Sequence, residues 1–380
     1  MTGRAQMTGS LQQSRRLIIK IGSALLVDED EGAIHHARLE GLAKDVADLR
    51  AGGTEVMIVT SGAIAVGRRY LGFADGALKL EEKQAAAACG QIRLAHAYQQ
   101  ALAGHDITVA QILLTIDDTE ERRRYLNARN TINTLLAAGA VPVINENDSV
   151  ATAEIRIGDN DRLAARVAAM MSADTLLLLS NIDGLYSADP SRDPNAEWIP
   201  RVDAITPEIE AMAGAVVSAD ASGGMPTKIA AARIAMAAGC HMVIARGDMD
   251  RPVAALKNGA RSTWFVAKAT PRAARKQWIA GSLQPRGVLT IDAGAEAALA
   301  AGRSLLPAGV SAVEGEFQRG EAVTVRDAAG NLLGRGLCAY SAADARRIRG
   351  HKTGEIEAIL GYRGRDAIIH RDDLVLEESL

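Results

Sequence analysis

The stretch "NENDSVATAEIRIGDND" at residues 145–161 holds five acids, Glu146, Asp148, Glu154, Asp159 and Asp161, against one base, Arg156. Such a density of carboxylates must be hydrated, paired with cations or engaged with a ligand. Lys20 poses the opposite problem. It interrupts the apolar run "RLIIKI" and is followed by Gly22 and Ser23. A lysine inside an apolar strand is costly to bury unless an anion meets it, and glycine lets a backbone approach a ligand closely. Lys20 therefore reads either as a phosphate grip at a strand end or as a lysine whose head reaches water from a strand tip. Lys228 closes "SGGMPTK" (222–228), a glycine turn running into an amphipathic helix with Pro226 in its first turn. That stretch reads as a phosphate cradle or as a capped surface helix with a solvated lysine. No GxxxxGK[ST] occurs, which excludes the common nucleotide-triphosphate loop.

In "TSGAIAVG" (60–67), Ser61 and Gly62 join a strand to a helix. The helix start offers N–H groups suited to an anion, and the plainer reading makes Ser61 an N-cap. In the acid-rich block, Asn147 and Asp148 directly follow an apolar run, at the kind of strand end where open α/β sheets bind ligands. "GDND" (158–161) precedes a helix that Asp159 or Asn160 could cap. A calcium loop is a rival, but its alternating acids and closing glutamate are missing.

Apolar runs at 16–21, 55–60, 107–115, 141–145, 175–180 and 241–245 predict strands, and 35–51, 79–103, 117–138, 160–172 and 224–239 predict helices. Strands that alternate with helices and read as continuous apolar runs predict an α/β fold. The expected architecture is an αβα sandwich with a mostly parallel central sheet. The pattern changes near residue 270. We expect a first domain over 1–268, a polar linker over 269–284, a small β-barrel-like module over 285–370 with "AIIHRDDLVL" (367–376) among its strand-like runs, and a C-terminal tail over 371–380 that is frayed at "EESL". "AAGNLLG" (328–334) reads as a hairpin turn within that module.

A net charge of −3 argues against a dominant nucleic-acid or membrane surface. With only 3% aromatic residues, the core must come from Ala, Val, Ile and Leu. Cys89, Cys240 and Cys338 are isolated, which fits a reducing compartment. The histidines form no HExxH pair, so no zinc site is expected. The polar first sixteen residues lack the apolar core of a signal peptide, and no apolar run reaches the ~18 residues that suggest a membrane span. A cytoplasmic location is expected.

Taken in order, "KIGSALL", "VTSGAIAVG", "QILLT", "LNARNTI", "VPVINENDSVATAEIRIGDND", "GLYSADP" and "GGMPTK" resemble the amino acid kinase family, in its glutamate 5-kinase branch. The resemblance covers nearly the whole chain, because 285–370 is similar to the PUA module of many bacterial members. It implies ATP-dependent phosphorylation of the γ-carboxylate of L-glutamate, the first step of proline synthesis. By position, it implies that Lys20 and Lys228 contact the transferring phosphate and that Asp161 orients both lysines. Ser61, Asp148 and Asn160 would bind glutamate, with Asp148 on the ammonium and Asn160 and Ser61 as donors to carboxylate oxygens. Ser180, Asn181, Ser222, Gly223, Gly224, Met225, Pro226, Thr227 and Lys228 would line the ATP site together with Lys20. The chain departs from the usual pattern at Ser180-Asn181, where Thr-Asp is common, and at Pro226, where Ser is common.

The resemblance also implies Mg²⁺ carried on the ATP phosphates, with no side-chain metal site. It implies proline as a feedback inhibitor, self-association and a glutamyl phosphate reductase as partner. PUA modules elsewhere bind RNA, but residues 281–380 hold 12 Lys and Arg against 14 Asp and Glu. A basic footprint is missing, so RNA is not an expected partner and a role in assembly or in modulating the kinase is expected instead. Two alternatives remain: a kinase of another amino or acyl acid with the same fold, or an RNA-binding regulatory protein with a non-catalytic kinase fold.

Overall fold

The computed structural model describes residues 11, 13–28, 32–74, 76–150, 160–214, 224–282 and 284–377. The chain divides into two compact units, Met1–Pro271 and Arg272–Leu380.

In the first unit the strands are β1 (Arg16–Ile21), β2 (Glu55–Val59), β3 (Val109–Leu114), β4 (Val141–Glu146), β5 (Thr175–Ser180), β6 (Leu185–Tyr186), β7 (Trp198–Ile199), β8 (Arg201–Val202), β9 (His241–Arg246) and β10 (Ser262–Phe265). Eight of them form one sheet in the order β3-β4-β2-β1-β5-β9-β10-β8, while β6 and β7 pair as a separate ribbon. Neighbours are parallel except β9 and β10. The parallel core is why β4 and β5 are buried along their whole length.

Alternation along β1 sorts its side chains between two layers. Leu17, Ile19 and Ile21 join a core with Leu39, Leu42 and Val46 of the helix His36–Ala51 and Leu94 and Leu102 of the helix Leu80–Ala103. Ile18 points the other way, into a core with Leu163 and Val167 of the helix Asn160–Met171 and Ile229 of the helix Met225–Ala237. Lys20 shares the parity of Ile18, so it faces these last two helices. Those helices meet through Ala164, Ala165, Ala168, Ala231, Ala232 and Ala235, all fully buried, and such small side chains let their axes approach closely.

Three sequence expectations change here. The helix expected over 117–138 is two helices, Ile116–Glu120 and Arg122–Ala137, separated at Glu121, whose ψ of 119° is extended. The Thr115 backbone N–H donates to Asp118 and the Asp118 N–H donates back to Thr115 Oγ1, which closes the short first helix as a capped turn. Strands β8 and β10 and the helices Pro207–Met212 and Pro252–Lys257 were not foreseen. Ser61 is not an N-cap. The cap of the helix Ala63–Tyr70 is Gly62, at φ 100°, where a side chain would be strained and a Cβ would press on Val27.

The second unit holds β11 (Gly287–Ile291), β12 (Val310–Gly315), β13 (Ala322–Arg326), β14 (Leu332–Leu337) and β15 (Leu374–Leu376), in the order β12-β11-β13-β14-β15. The expected hairpin turn joins β13 to β14, with Gly330 at φ 91° and Asn331 bonded back to Asp327. The expected linker carries the helix Pro271–Ser282. Its Ile279 is fully buried against Ala322, Leu337 and Val375, and its Arg275 forms a buried pair with Asp373 at 2.6 Å. The strand read in "AIIHRDDLVL" is β15, so the stretch set apart as a tail carries part of the sheet; its last three residues lie outside the described ones. Helices Ala293–Ala300, Ala342–Ile348 and Ile356–Leu360 complete the unit and were not read from the sequence.

Candidate active site

Because β1, β2, β4 and β5 run parallel, their C-terminal ends emerge along one edge of the sheet, where open α/β folds bind ligands. Lys20 is next to last on β1, between Val59 of β2 and Leu178 of β5. The helix Asn160–Met171 starts at this edge with Asn160 and Asp161, and the helix Met225–Ala237 starts there with Lys228 in its first turn. Two helix N-termini and two lysines therefore converge, a strongly anion-attracting arrangement.

Asp161 sits at the centre. Its Oδ1 lies 2.6 Å from Lys20 Nζ and its Oδ2 lies 2.9 Å from Lys228 Nζ. The Thr227 hydroxyl also lies within reach of Oδ2, at 3.2 Å. All three charged groups are buried, Asp161 to 1% exposure. Burial alone would raise the Asp161 carboxyl, but the charges of Lys20 and Lys228, and their hydrogen bonds, outweigh it and hold it below the usual carboxylate range. The carboxylate spaces the ammonium groups and leaves the trio with one net positive charge.

The neighbouring cluster is built from the ends of β2 and β4. Asn160 Nδ2 donates to the Thr60 carbonyl at 2.6 Å and to Asn145 Oδ1 at 2.8 Å. A carbonyl only accepts, so the Thr60 contact fixes which Asn160 atom is nitrogen. Asn145 Oδ1 also accepts from the Glu146 N–H at 2.9 Å. Among the described residues, this leaves two buried amide atoms without a partner, Asn160 Oδ1 and Asn145 Nδ2. One is an acceptor and the other a donor. Asp148 is buried at the same strand end, and burial, followed by the charge of Glu146, pushes its carboxyl up to about 7. Ser61 donates its hydroxyl to the Ile21 carbonyl at 2.9 Å and so ties the end of β1 to the turn after β2.

The structure thus brings Lys20, Asp161, Lys228 and Thr227 into one network and gathers Ser61, Asp148 and Asn160 at the adjoining strand ends. It changes the chemistry expected of two of them. The hydrogens of Asn160 and Ser61 are already engaged with protein carbonyls, so what Asn160 offers a ligand is an oxygen. Asn145, whose free NH₂ is the donor here, was not singled out in the sequence; its signal was a polar residue at the end of an apolar strand. Ser180 ends β5 and Asn181 follows it, with Ser180 Oγ 3.2 Å from Asn181 Oδ1. Gly224 caps the helix that Met225 and Pro226 begin, and the Thr227 hydroxyl donates to the Gly224 carbonyl. Ser222, Gly223, Glu154, Arg156 and Asp159 lie outside the described residues.

A parallel sheet with helices on both faces and its candidate site at the strand ends is the architecture of an amino acid kinase, and the amino acid kinase family pattern matches residues 15–246. The PUA domain pattern matches residues 287–360. The chain is 64% identical to a glutamate 5-kinase of Paramagnetospirillum magneticum, over 97% of this chain and 99% of that protein. It is 61% identical to one from Rhodospirillum rubrum, over 95% of this chain and 96% of that protein. It is 59% identical to one from Rhizobium rhizogenes, over 98% of this chain and 95% of that protein. The chain belongs to the glutamate 5-kinase family.

Proposed function

We propose that the protein transfers the γ-phosphoryl group of ATP to the γ-carboxylate of L-glutamate, giving L-glutamyl 5-phosphate and ADP, the first step of proline biosynthesis. The observation that carries this reading is the convergence of Lys20 and Lys228 on Asp161 at the strand ends. A new bond forms between a γ-carboxylate oxygen and phosphorus, and the bond from phosphorus to the bridging oxygen of ADP breaks. The acceptor carboxylate is already ionised at neutral pH, so no general base is required. The work is in-line positioning and charge stabilisation.

Lys20 and Lys228 would each contact the transferring group. An ammonium about 4 Å from a phosphoryl oxygen is worth about 4 kcal/mol at an effective dielectric near 20. Two such contacts give at most about 8 kcal/mol, part of it already felt before reaction. Enzymes lower barriers by about 8–23 kcal/mol, so orienting the two substrates, worth up to roughly 7–11 kcal/mol, must supply much of the rest. The amino-acid end is suited to that task. Ionised Asp148 and the Asn160 oxygen would take the ammonium, while Asn145 Nδ2 and the first N–H groups of the helix Ala63–Tyr70 would take carboxylate oxygens.

Ser180, Asn181 and residues 222–228 would line the nucleotide. Among the described residues, no three His, Cys, Asp or Glu side chains cluster to hold a metal, and Asp161 is committed to its lysines. The metal of this reading is Mg²⁺ carried on the ATP phosphates, to which it would supply positive charge. No described helix is long and apolar enough to cross a membrane; a cytoplasmic site of action, self-association, inhibition by proline and hand-over of the labile acyl phosphate to a reductase belong to the same proposal. The domain limits of 1–268 and 285–370 belong to it too.

Incubation with ATP, Mg²⁺ and a panel of amino acids, followed by hydroxylamine trapping, tests the reading. Hydroxamate is expected with L-glutamate. Trapping with another amino or acyl acid and none with glutamate would overturn it.

A further inference from the structure

The helix Leu80–Ala103 buries two polar side chains, Gln91 at 7% and Tyr98 at 1% exposure. Seven residues apart, they lie on one side of the helix. Filling the core does not require their polar atoms, since Leu94 and Leu102 line the same core with hydrocarbon alone. Each instead reaches the C-terminal end of a different strand. Gln91 Nε2 donates to the carbonyl of Glu146, the last residue of β4, at 3.1 Å. That residue stands next to Asn145 and two before Asp148. The Tyr98 hydroxyl donates to Thr60 Oγ1 at 3.0 Å, just past β2, and the carbonyl of the same Thr60 receives the Asn160 amide. The Thr60 N–H in turn donates to the Ile144 carbonyl, which links the two strand ends to each other.

The helix is itself fixed in place. A Cβ at Gly90 would lie 1.8 Å from the Ala63 carbonyl oxygen, and one at Gly67 would lie 1.7 Å from that of Ala86. The helices Leu80–Ala103 and Ala63–Tyr70 are thus in backbone contact, leaving no slack for one to slide on the other. This brace packs on the opposite side of the sheet from the helices that carry Asp161 and Lys228.

We infer that Gln91 and Tyr98 are positioning residues for the amino-acid substrate, holding the ends of β4 and β2 at the spacing that Asn145, Asp148 and Asn160 need. This rests on the glutamate reading above. They act only through Glu146 and Thr60, and the phosphate end is held by other elements.

The test compares the wild type with Gln91→Met, Gln91→Glu, Tyr98→Phe and the control Leu94→Val, measuring kcat, KM for glutamate, KM for ATP and melting temperature. Met keeps the size of Gln91 and removes its donor, and Glu keeps its shape but donates to the Glu146 carbonyl only when protonated; Val trims the same buried face and leaves both polar bonds intact. The expected result is a rise in glutamate KM of about three- to tenfold in the three polar variants, with kcat and the ATP KM within about twofold. Leu94→Val should lower the melting temperature and leave glutamate KM unchanged. A glutamate KM within about twofold in the polar variants, or an equal rise in Leu94→Val, overturns the inference while leaving the glutamate reading intact. A wild type that fails to phosphorylate glutamate overturns that reading, and this inference with it.

Discussion

At the phosphate end of the site, Lys20 and Lys228 share Asp161, and every charge in that trio already has a counter-charge within 3 Å. At the amino-acid end, Asp148 lies buried near Glu146, and an amide oxygen and an amide nitrogen have no partner among the described residues. At one end each charge is paired from within; at the other, buried polar atoms stand open among the described residues. The difference fits their tasks. Lysines that must stay charged and fixed through phosphoryl transfer need an internal spacer, whereas a pocket selecting a free amino acid gains discrimination from buried polar atoms that the wrong ligand would leave unpaired.

Asp161→Asn should break this contrast most severely. It leaves two buried ammonium groups facing each other across a neutral amide, so turnover should fall by about 10³-fold or more. Unfolding free energy should drop by about 3–5 kcal/mol, measured by urea denaturation. Next come Lys20→Met and Lys228→Met. Losing about 4 kcal/mol of phosphoryl stabilisation corresponds to about 10³-fold in kcat. Glutamate KM should stay within about threefold, because the loss is confined to the other end.

Asp148→Asn should do the reverse. It should raise glutamate KM by about 10- to 100-fold, the worth of one charged hydrogen bond, with a much smaller effect on kcat. The raised Asp148 carboxyl adds a pH signature. Only its ionised form attracts the ammonium, so glutamate KM should climb as pH falls below about 7, by up to about tenfold per unit, and this slope should vanish in Asp148→Asn. The ligand-free protein gives the opposite sign. The native state holds the Asp148 proton more tightly than the unfolded chain, whose value is 3.8. The stability this group contributes is therefore present below about pH 4 and lost as pH rises towards 7, by up to roughly 4 kcal/mol. Denaturant titrations of the wild type and of Asp148→Asn across that window check it. Ser61→Ala should have the smallest effect, about two- to tenfold in glutamate KM, through release of the Ile21 carbonyl.

The parallel sheet was legible because its strands are continuous apolar runs, and Lys20 stood out because it interrupts one of them. What the sequence hid was mostly non-local. The Ser262–Phe265 strand is four residues long, and it turns antiparallel only through its pairing with β9. The break at Glu121 depends on a local Thr115–Asp118 cap inside a run that otherwise reads as one helix. Pro271–Ser282 reads as a polar connector because Arg272, Arg275, Lys276 and Gln277 interrupt any apolar run, yet Ile279 and Arg275 each find a buried partner. In the site, residue types suggested which groups matter but not which hydrogens are already spent. That Asn160 presents an oxygen follows only from the Thr60 carbonyl, a hundred residues away in sequence. Gln91 and Tyr98 carry no motif, and their meaning comes from the strand ends they reach.

The most direct measurement is a structure of the protein with ADP, Mg²⁺, aluminium fluoride and L-glutamate. It should place Lys20 Nζ and Lys228 Nζ both within ~3 Å of fluorine ligands on the same aluminium, with Asp161 still between them and the glutamate ammonium against Asp148. Ammonium groups directed into separate pockets, or one of them withdrawn to solvent, would contradict the account.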